Sequence, residues 1–73
     1  MNRLPTYKPN EAIRKLRKAG FEIDHVTGSH YILRHHNGRR VVVSYHRGRD
    51  VKRGILRAIL QQAGLTTEEF RDL

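Results

Sequence analysis

Several residue types are absent from this 73-residue chain or scarce in it. It has no cysteine, which excludes disulfides and thiolate metal sites and fits a reducing compartment, so we expect a cytoplasmic protein. No purely aliphatic run exceeds three residues, whereas a membrane-spanning helix needs about 20 apolar residues. Residues 1–10 also lack the apolar stretch of a signal peptide. The composition therefore argues against disulfide scaffolds and membrane proteins.

Length limits the kind of site that the chain can build. We expect residues 1–73 to form a single domain. A domain this short buries only about 60% of the surface of its unfolded chain, so it cannot enclose a deep cavity. We therefore expect a site on an open surface or in a shallow groove, without a small-molecule cofactor.

Acidic residues are few and unevenly placed. The chain has 15 Lys and Arg against 7 Asp and Glu, which gives a net charge of +8 with neutral histidines. Between His25 and Gln62 the only acid is Asp50. Such a basic surface favours a nucleic acid or another polyanion as partner, although a merely solvated basic surface would give the same composition.

Hydrophobic spacing predicts an α+β fold. Apolar residues at helical intervals indicate helices over residues 9–19 and 52–63; the first starts at Pro9 and is capped by Gly20. A capping box of Thr66 and Glu69 predicts a short last helix over residues 67–73. Three strands are predicted between the long helices, at residues 21–26, 30–35 and 40–45. The simplest arrangement is a two-layer α-β-β-β-α sandwich with both helices on one face of a three-stranded antiparallel sheet.

Alternation along the second strand predicts which side chains lie on the uncovered face. Tyr31 and Leu33 suit the core, so His30, Ile32 and Arg34 should lie on the open face. The core set of the third strand is Val41, Val43 and Tyr45. Both sets share a face only if the hairpin loop has an odd number of residues, so we expect three, with Gly38 at positive φ. This register places His30 near Ser44 and His46.

Residues 28–30 and 46–52 hold the candidates for chemistry. Gly28 and Ser29 could hold a phosphate, and His30 could transfer a proton near neutral pH. Taken alone, an ordinary turn before a surface histidine is the commoner explanation. Arg47 and Arg49 could grip a phosphate beside His46, and Lys52 could extend a nucleic-acid track; a solvated loop and helix face are equally plausible.

The remaining histidines and the aromatics offer less. His25, His35 and His36 lack the spacing and the neighbouring carboxylates of a metal site, so no metal is expected. Reading single-stranded RNA by stacking needs exposed aromatic rings. The core should take the two Phe residues, Tyr31 and Tyr45, which leaves only Tyr7 free.

Taken in order, these segments resemble the HicA toxins, the YcfA-like mRNA interferases, over nearly the whole chain. The stretches that carry the resemblance are Leu4-Pro5, Lys18-Ala19-Gly20-Phe21, Gly28-Ser29-His30, Asn37-Gly38-Arg39-Arg40-Val41, His46-Arg47-Gly48-Arg49-Asp50 and Gln62-Ala63-Gly64-Leu65. No single stretch is specific, but their order and spacing are. Ser44 and Arg53 stand where the family often has proline, and Ile55 where it often has threonine.

The resemblance implies a fold similar to a double-stranded-RNA-binding domain and metal-independent endoribonuclease activity on mRNA. It implies that His30 is the catalytic residue and that a HicB-type antitoxin inhibits the toxin. We expect this antitoxin to cover the His30 face. Gly28, Ser29, Arg34, Arg47, Arg49 and Lys52 are expected to bind RNA phosphates.

Cleavage without a metal suggests attack by the RNA 2′-hydroxyl on the adjacent phosphorus, which needs a second proton carrier. His46 is the best candidate and Tyr31 the weaker one, while attack by water stays open. Two other functions remain: a non-catalytic RNA-binding module, and a DNA-binding accessory of an operon regulator. Only the enzyme should depend on the one imidazole of His30.

Overall fold

A computed structural model describes residues 6–73. In chain order it contains α1 (Pro9–Lys18), β1 (Phe21–Thr27), β2 (His30–His35), β3 (Arg40–Ser44), α2 (Arg53–Ala63) and α3 (Thr67–Arg71). The strands form one antiparallel sheet in the order β1-β2-β3. The predicted α-β-β-β-α order with a short last helix is confirmed. Leu4-Pro5, one of the stretches that carry the resemblance, lies outside the described residues.

The helices begin and end at residues whose local chemistry favours those positions. Pro9 lies in the first turn of α1, where its missing N–H costs nothing. Gly64 follows α2 with φ 73°, a left-handed conformation that glycine adopts without strain. Thr66 caps α3, since its hydroxyl accepts from the Glu69 N–H at 3.0 Å. The bounds of α1 and α2 match the predictions to within one residue, whereas α3 ends two residues early, at Arg71.

The β2–β3 hairpin has the predicted three-residue loop. The His35 N–H donates to the Arg39 carbonyl at 3.0 Å, which closes a loop of residues 36–38. Gly38 has φ 94°, as this loop requires. Leu33 therefore pairs with Val41, and His30 with Ser44. The core sets of the two strands share one face, as predicted.

The β1–β2 hairpin contains a feature that alternation did not predict. Ile23 pairs with Leu33 and His25 pairs with Ile32, so Asp24 is the extra residue of a β-bulge. Cross-strand partners point to the same face of a sheet. Before the bulge Ile23 therefore lies on the helix side with Leu33, and after it His25 lies on the opposite side with Ile32.

Both long helices cover the same face of the sheet, α1 against β1 and α2 against β3. The core between them joins apolar residues of the helices to Phe21, Leu33, Val41 and Val43, all of which are at most 2% exposed. The predicted apolar stripe of α2 is confirmed for Leu56, Ile59, Leu60 and Ala63. It is wrong for Ile55, which is 49% exposed because it projects beside the β3–α2 loop instead of into the core.

The other side of the sheet, here called the open face, carries no helix. Register assigns to it Glu22, His25, Thr27, His30, Ile32, Arg34, Arg40, Val42 and Ser44. His30 and Arg34 are exposed, as predicted. Ile32 is only 4% exposed, although it does not belong to the helix-side core cluster. It lies on the central strand between His25 and Val42, so its flanking strands leave it little accessible surface.

Tyr7 and Lys15, before and within α1, hold α3 in place. Tyr7, expected to be free for stacking, is 9% exposed, and its ring packs edge-on against Phe70 at a centroid distance of 5.2 Å. Lys15 is 8% exposed, and its Nζ donates to the carbonyls of Arg71 at 3.1 Å and Leu73 at 3.0 Å. The expectation that Tyr7 is free is therefore wrong, because Phe70 supplies a core partner for its ring.

Among the helices of residues 6–73, none has the length and apolar character needed to cross a membrane.

Candidate functional site on the open sheet face

A tight turn presents His30 at one end of the open face. Gly28 has φ 58°, and in the described part of the chain only glycines adopt positive φ. Gly28 and Ser29 thus form the two-residue turn between the paired residues Thr27 and His30. The Ser29 carbonyl accepts from the Tyr45 N–H at 2.6 Å, which keeps the end of β3 beside the turn. His30 is exposed and lies directly across from Ser44.

A shallow groove of about 290 Å³ begins at Ser44. Besides Ser44 and the apolar Pro9 and Ile55, it is lined by His46, Arg49, Asp50 and Lys52. Three of the sequence-predicted site residues, His46, Arg49 and Lys52, are therefore brought together, and Ser44 connects them to His30. Arg47 is exposed in the turn at Gly48, but it does not line this groove.

The loop that carries these groups is anchored at its far end. The Val51 N–H donates to the Tyr7 carbonyl at 2.7 Å. The Lys8 ammonium lies 2.8 Å from the Asp50 carboxylate, which lowers the pKa of Asp50 and raises that of Lys8. The one acid of the loop is thus engaged by a lysine.

Arg34 lies farther along the open face, at the other end of β2. Its Nε is 3.5 Å from the Asp24 carboxylate, and its side chain remains 57% exposed. The same carboxylate oxygen lies 2.7 Å from Nδ1 of His25. These neighbours, His25 first and then Arg34, lower the pKa of Asp24. Arg34 can reach an anion only from this position, four residue pairs along the β1–β2 ladder from His30.

Sequence reasoning missed His25 as part of this face. Strict alternation from Phe21 would put His25 on the helix side; the bulge at Asp24 reverses this. One signal was present in the sequence: the apolar residues Ile23 and Val26 are three positions apart, an odd interval for two residues on the same face of a regular strand. Within residues 6–73, no three His, Asp or Glu side chains gather closely enough to share a metal ion.

Comparison with known proteins identifies the family of this chain. The model of the family described as "HicA toxin of bacterial toxin-antitoxin" matches residues 9–65. The match runs from α1 through the three strands to the end of α2, and it includes the Gly28 turn, His30 and the His46 groove. No curated protein matches the chain. Membership of such a family implies a toxin role and a cognate antitoxin as partner. The chain belongs to the HicA toxin family.

Proposed function

We propose that this toxin is a metal-independent endoribonuclease that cleaves mRNA and uses His30 as its catalytic residue. The observation that carries the proposal is the exposure of His30 on a helix-free sheet face, opposite Ser44 and next to a groove lined by Arg49 and Lys52. An open face of this kind accepts a long polymer, which a closed pocket would not. The net charge of +8 favours a polyanionic substrate.

The chemistry proposed is intramolecular transesterification. The 2′-oxygen attacks the adjacent phosphorus, the bond between phosphorus and the 5′-oxygen breaks, and a 2′,3′-cyclic phosphate forms. One group takes the proton from the 2′-hydroxyl and another gives a proton to the departing 5′-oxygen, so atoms and charge balance. His30 is suited to either transfer. Cationic side chains of the neighbouring groove, Arg49 above all, would offset the charge that develops on the phosphorane oxygens.

Phosphate binding is proposed for the residues around this point. Gly28 leaves space above the turn, since a Cβ built at this position would meet nothing within 4 Å. Ser29 adds a hydroxyl beside it. Arg47, Arg49 and Lys52 would hold the strand on one side of His30 and Arg34 on the other, because all four are exposed cations.

The test compares the native chain with His30→Ala after induction in bacteria, by growth and by mRNA integrity. Loss of toxicity is expected, together with an unchanged fold, because an exposed side chain contributes within about 0.5 kcal/mol to stability. His36→Ala is the matched control: it removes another exposed imidazole, from the hairpin loop at the far end of β2. Growth arrest by His30→Ala at equal expression would refute the assignment. RNA binding without cleavage by the native chain would instead favour a binding module.

We further propose that the cognate antitoxin is of the HicB type and covers the His30 face. This face carries the exposed cations Arg34 and Arg40 beside a half-buried Val42, which suits a partner that offers carboxylates next to an apolar patch. Ile32 also lies on this face, but at 4% exposure it offers a partner almost no contact area. Such a partner would block RNA by occupying its site. A complex in which His30 remains accessible while the helices form the interface would contradict this model.

A further inference from the structure

A second histidine shares the open face with His30. The bulge at Asp24 sets His25 opposite Ile32, and Thr27 lies opposite His30. His25 is thus the diagonal neighbour of His30 across the β1–β2 ladder. Diagonal neighbours in an antiparallel pair lie roughly 7–8 Å apart, a separation that one phosphodiester group can span. His46, the candidate indicated by the sequence, lies beyond the end of β3 and lines the groove on the other side.

Asp24 orients the His25 ring. Its carboxylate oxygen lies 2.7 Å from Nδ1 of His25. An ionised carboxylate can only accept a hydrogen bond, so Nδ1 carries a hydrogen and Nε2 is the nitrogen left for a substrate. The His25 side chain is 51% exposed, so a ligand on this face can reach its ring. A histidine whose tautomer and orientation are set by a carboxylate is a recurring arrangement for proton transfer.

Asp24 makes a second contact on this face, with Arg34. Arg34 approaches the same carboxylate oxygen at 3.5 Å from its position on β2. Asp24 is thereby placed between a cation and an imidazole, and its pKa is lowered. It is ionised throughout the neutral range and serves as a positioning residue for His25.

We propose that His25 is the second proton-transfer group of the cleavage reaction, in the role complementary to that of His30. This inference rests on the function proposed above. One of the two imidazoles takes the proton of the 2′-hydroxyl as the 2′-oxygen attacks phosphorus. The other gives a proton to the 5′-oxygen as its bond to phosphorus breaks. After one turnover each ring has changed its protonation state, and exchange with solvent restores both.

The test uses two RNA substrates that differ in one atom. The first is an RNA oligonucleotide cut by the native protein, and the second carries sulfur in place of the bridging 5′-oxygen at the cut bond. A thiolate leaves without a proton, so this substrate does not need the general acid. His25→Asn is the variant of choice, because its amide can keep the hydrogen bond to Asp24 while Nε2 is lost. We expect its cleavage rate on the ordinary RNA to fall by about 10²-fold or more.

The two substrates separate proton transfer from a structural role. The sulfur substrate should restore the rate of only one of the two variants His25→Asn and His30→Ala, and that variant identifies the general acid. His36→Asn should match the native protein on both substrates. His46→Asn examines the competing candidate in the same assay.

Several results would overturn the inference. His25→Asn could cleave ordinary RNA as fast as the native protein, or neither variant could be restored by sulfur, or His46→Asn could show the loss and the rescue instead. Failure of the proposed function gives a different result, since the native protein itself would then leave RNA uncut. Circular dichroism on each variant shows whether a lost rate reflects a lost fold.

Discussion

The buried ammonium of Lys15 offers a sharp test of how α3 is held. Its Nζ donates to the carbonyls of Leu73 at 3.0 Å, Arg71 at 3.1 Å and Phe70 at 3.4 Å. Carbonyls in the last turn of a helix lack partners within the helix. Lys15 supplies a donor to those of Phe70 and Arg71, and also to that of Leu73 just beyond α3. The substitution Lys15→Met keeps the unbranched apolar chain and removes all three donors.

The expected loss follows from the number and quality of these hydrogen bonds. A hydrogen bond from a charged donor contributes about 1.5–3 kcal/mol, and the bonds to Arg71 and Leu73 are the two shorter ones. Both carbonyls are part-buried, so water can partly replace the donor. Methionine also avoids the desolvation of an ammonium. We therefore expect the free energy of unfolding to fall by about 2 kcal/mol, less than the sum of two such bonds.

Urea unfolding followed by circular dichroism measures this quantity. Lys18→Met is the matched control, because Lys18 is an exposed lysine of the same helix and should change stability by no more than about 0.5 kcal/mol. Hydrogen exchange should show faster opening of residues 67–71 in Lys15→Met. A variant as stable as the native protein, or more stable, would refute the reasoning and show that burying the ammonium costs as much as its bonds contribute.

Further predictions concern the RNA, the antitoxin and pH. Cleavage by purified protein should survive EDTA, because the proposed chemistry uses protein groups alone; loss on chelation with recovery on adding a divalent ion would contradict it. RNA affinity should fall with salt at a log–log slope of roughly −0.7 per phosphate contact. An affinity that does not change with salt would show that the charged side chains do not provide the binding. Arg47→Glu should slow association of an acidic antitoxin, with a defect that shrinks at high salt; equal association rates at low salt would exclude this arginine. Because Lys8 lowers the pKa of Asp50, their pair stabilises the fold above the unfolded carboxyl pKa, and this contribution is lost as pH falls through the folded one. In acid titrations Asp50→Asn should therefore lack that part of the native stability loss, and identical acid curves would show that the pair contributes nothing.

Much of the fold followed from local chemistry that can be read along the chain. The start of α1 matched its Pro9 signal, and the bounds of both long helices matched the predicted 9–19 and 52–63 to within one residue. The β2–β3 register followed from Gly38 together with the requirement that Leu33 and Val41 share a face. Alternation together with this register therefore placed His30 correctly on the open face and near Ser44.

Other features of the site could not be read in this way. Arg49 and Lys52 were candidates on charge, yet only the fold shows that they share a groove with Ser44 and that Arg47 does not line it. Ile55 continues the apolar spacing of α2, but its position beside that groove leaves it exposed. Charge and spacing identify candidate residues, whereas the conformation of the β3–α2 loop decides which of them line the same groove.

The sequence by itself determined the elements, their order and the face of His30, because capping, turn chemistry and alternation act within a few neighbouring residues. The tertiary structure alone decided that Asp24 is extruded as a bulge and that His25 reaches the open face. It also decided that Tyr7 and Lys15 are buried against the end of α3. These outcomes depend on partners from other elements or far along the chain. The balance of packing and hydrogen bonding there is settled only when those partners meet.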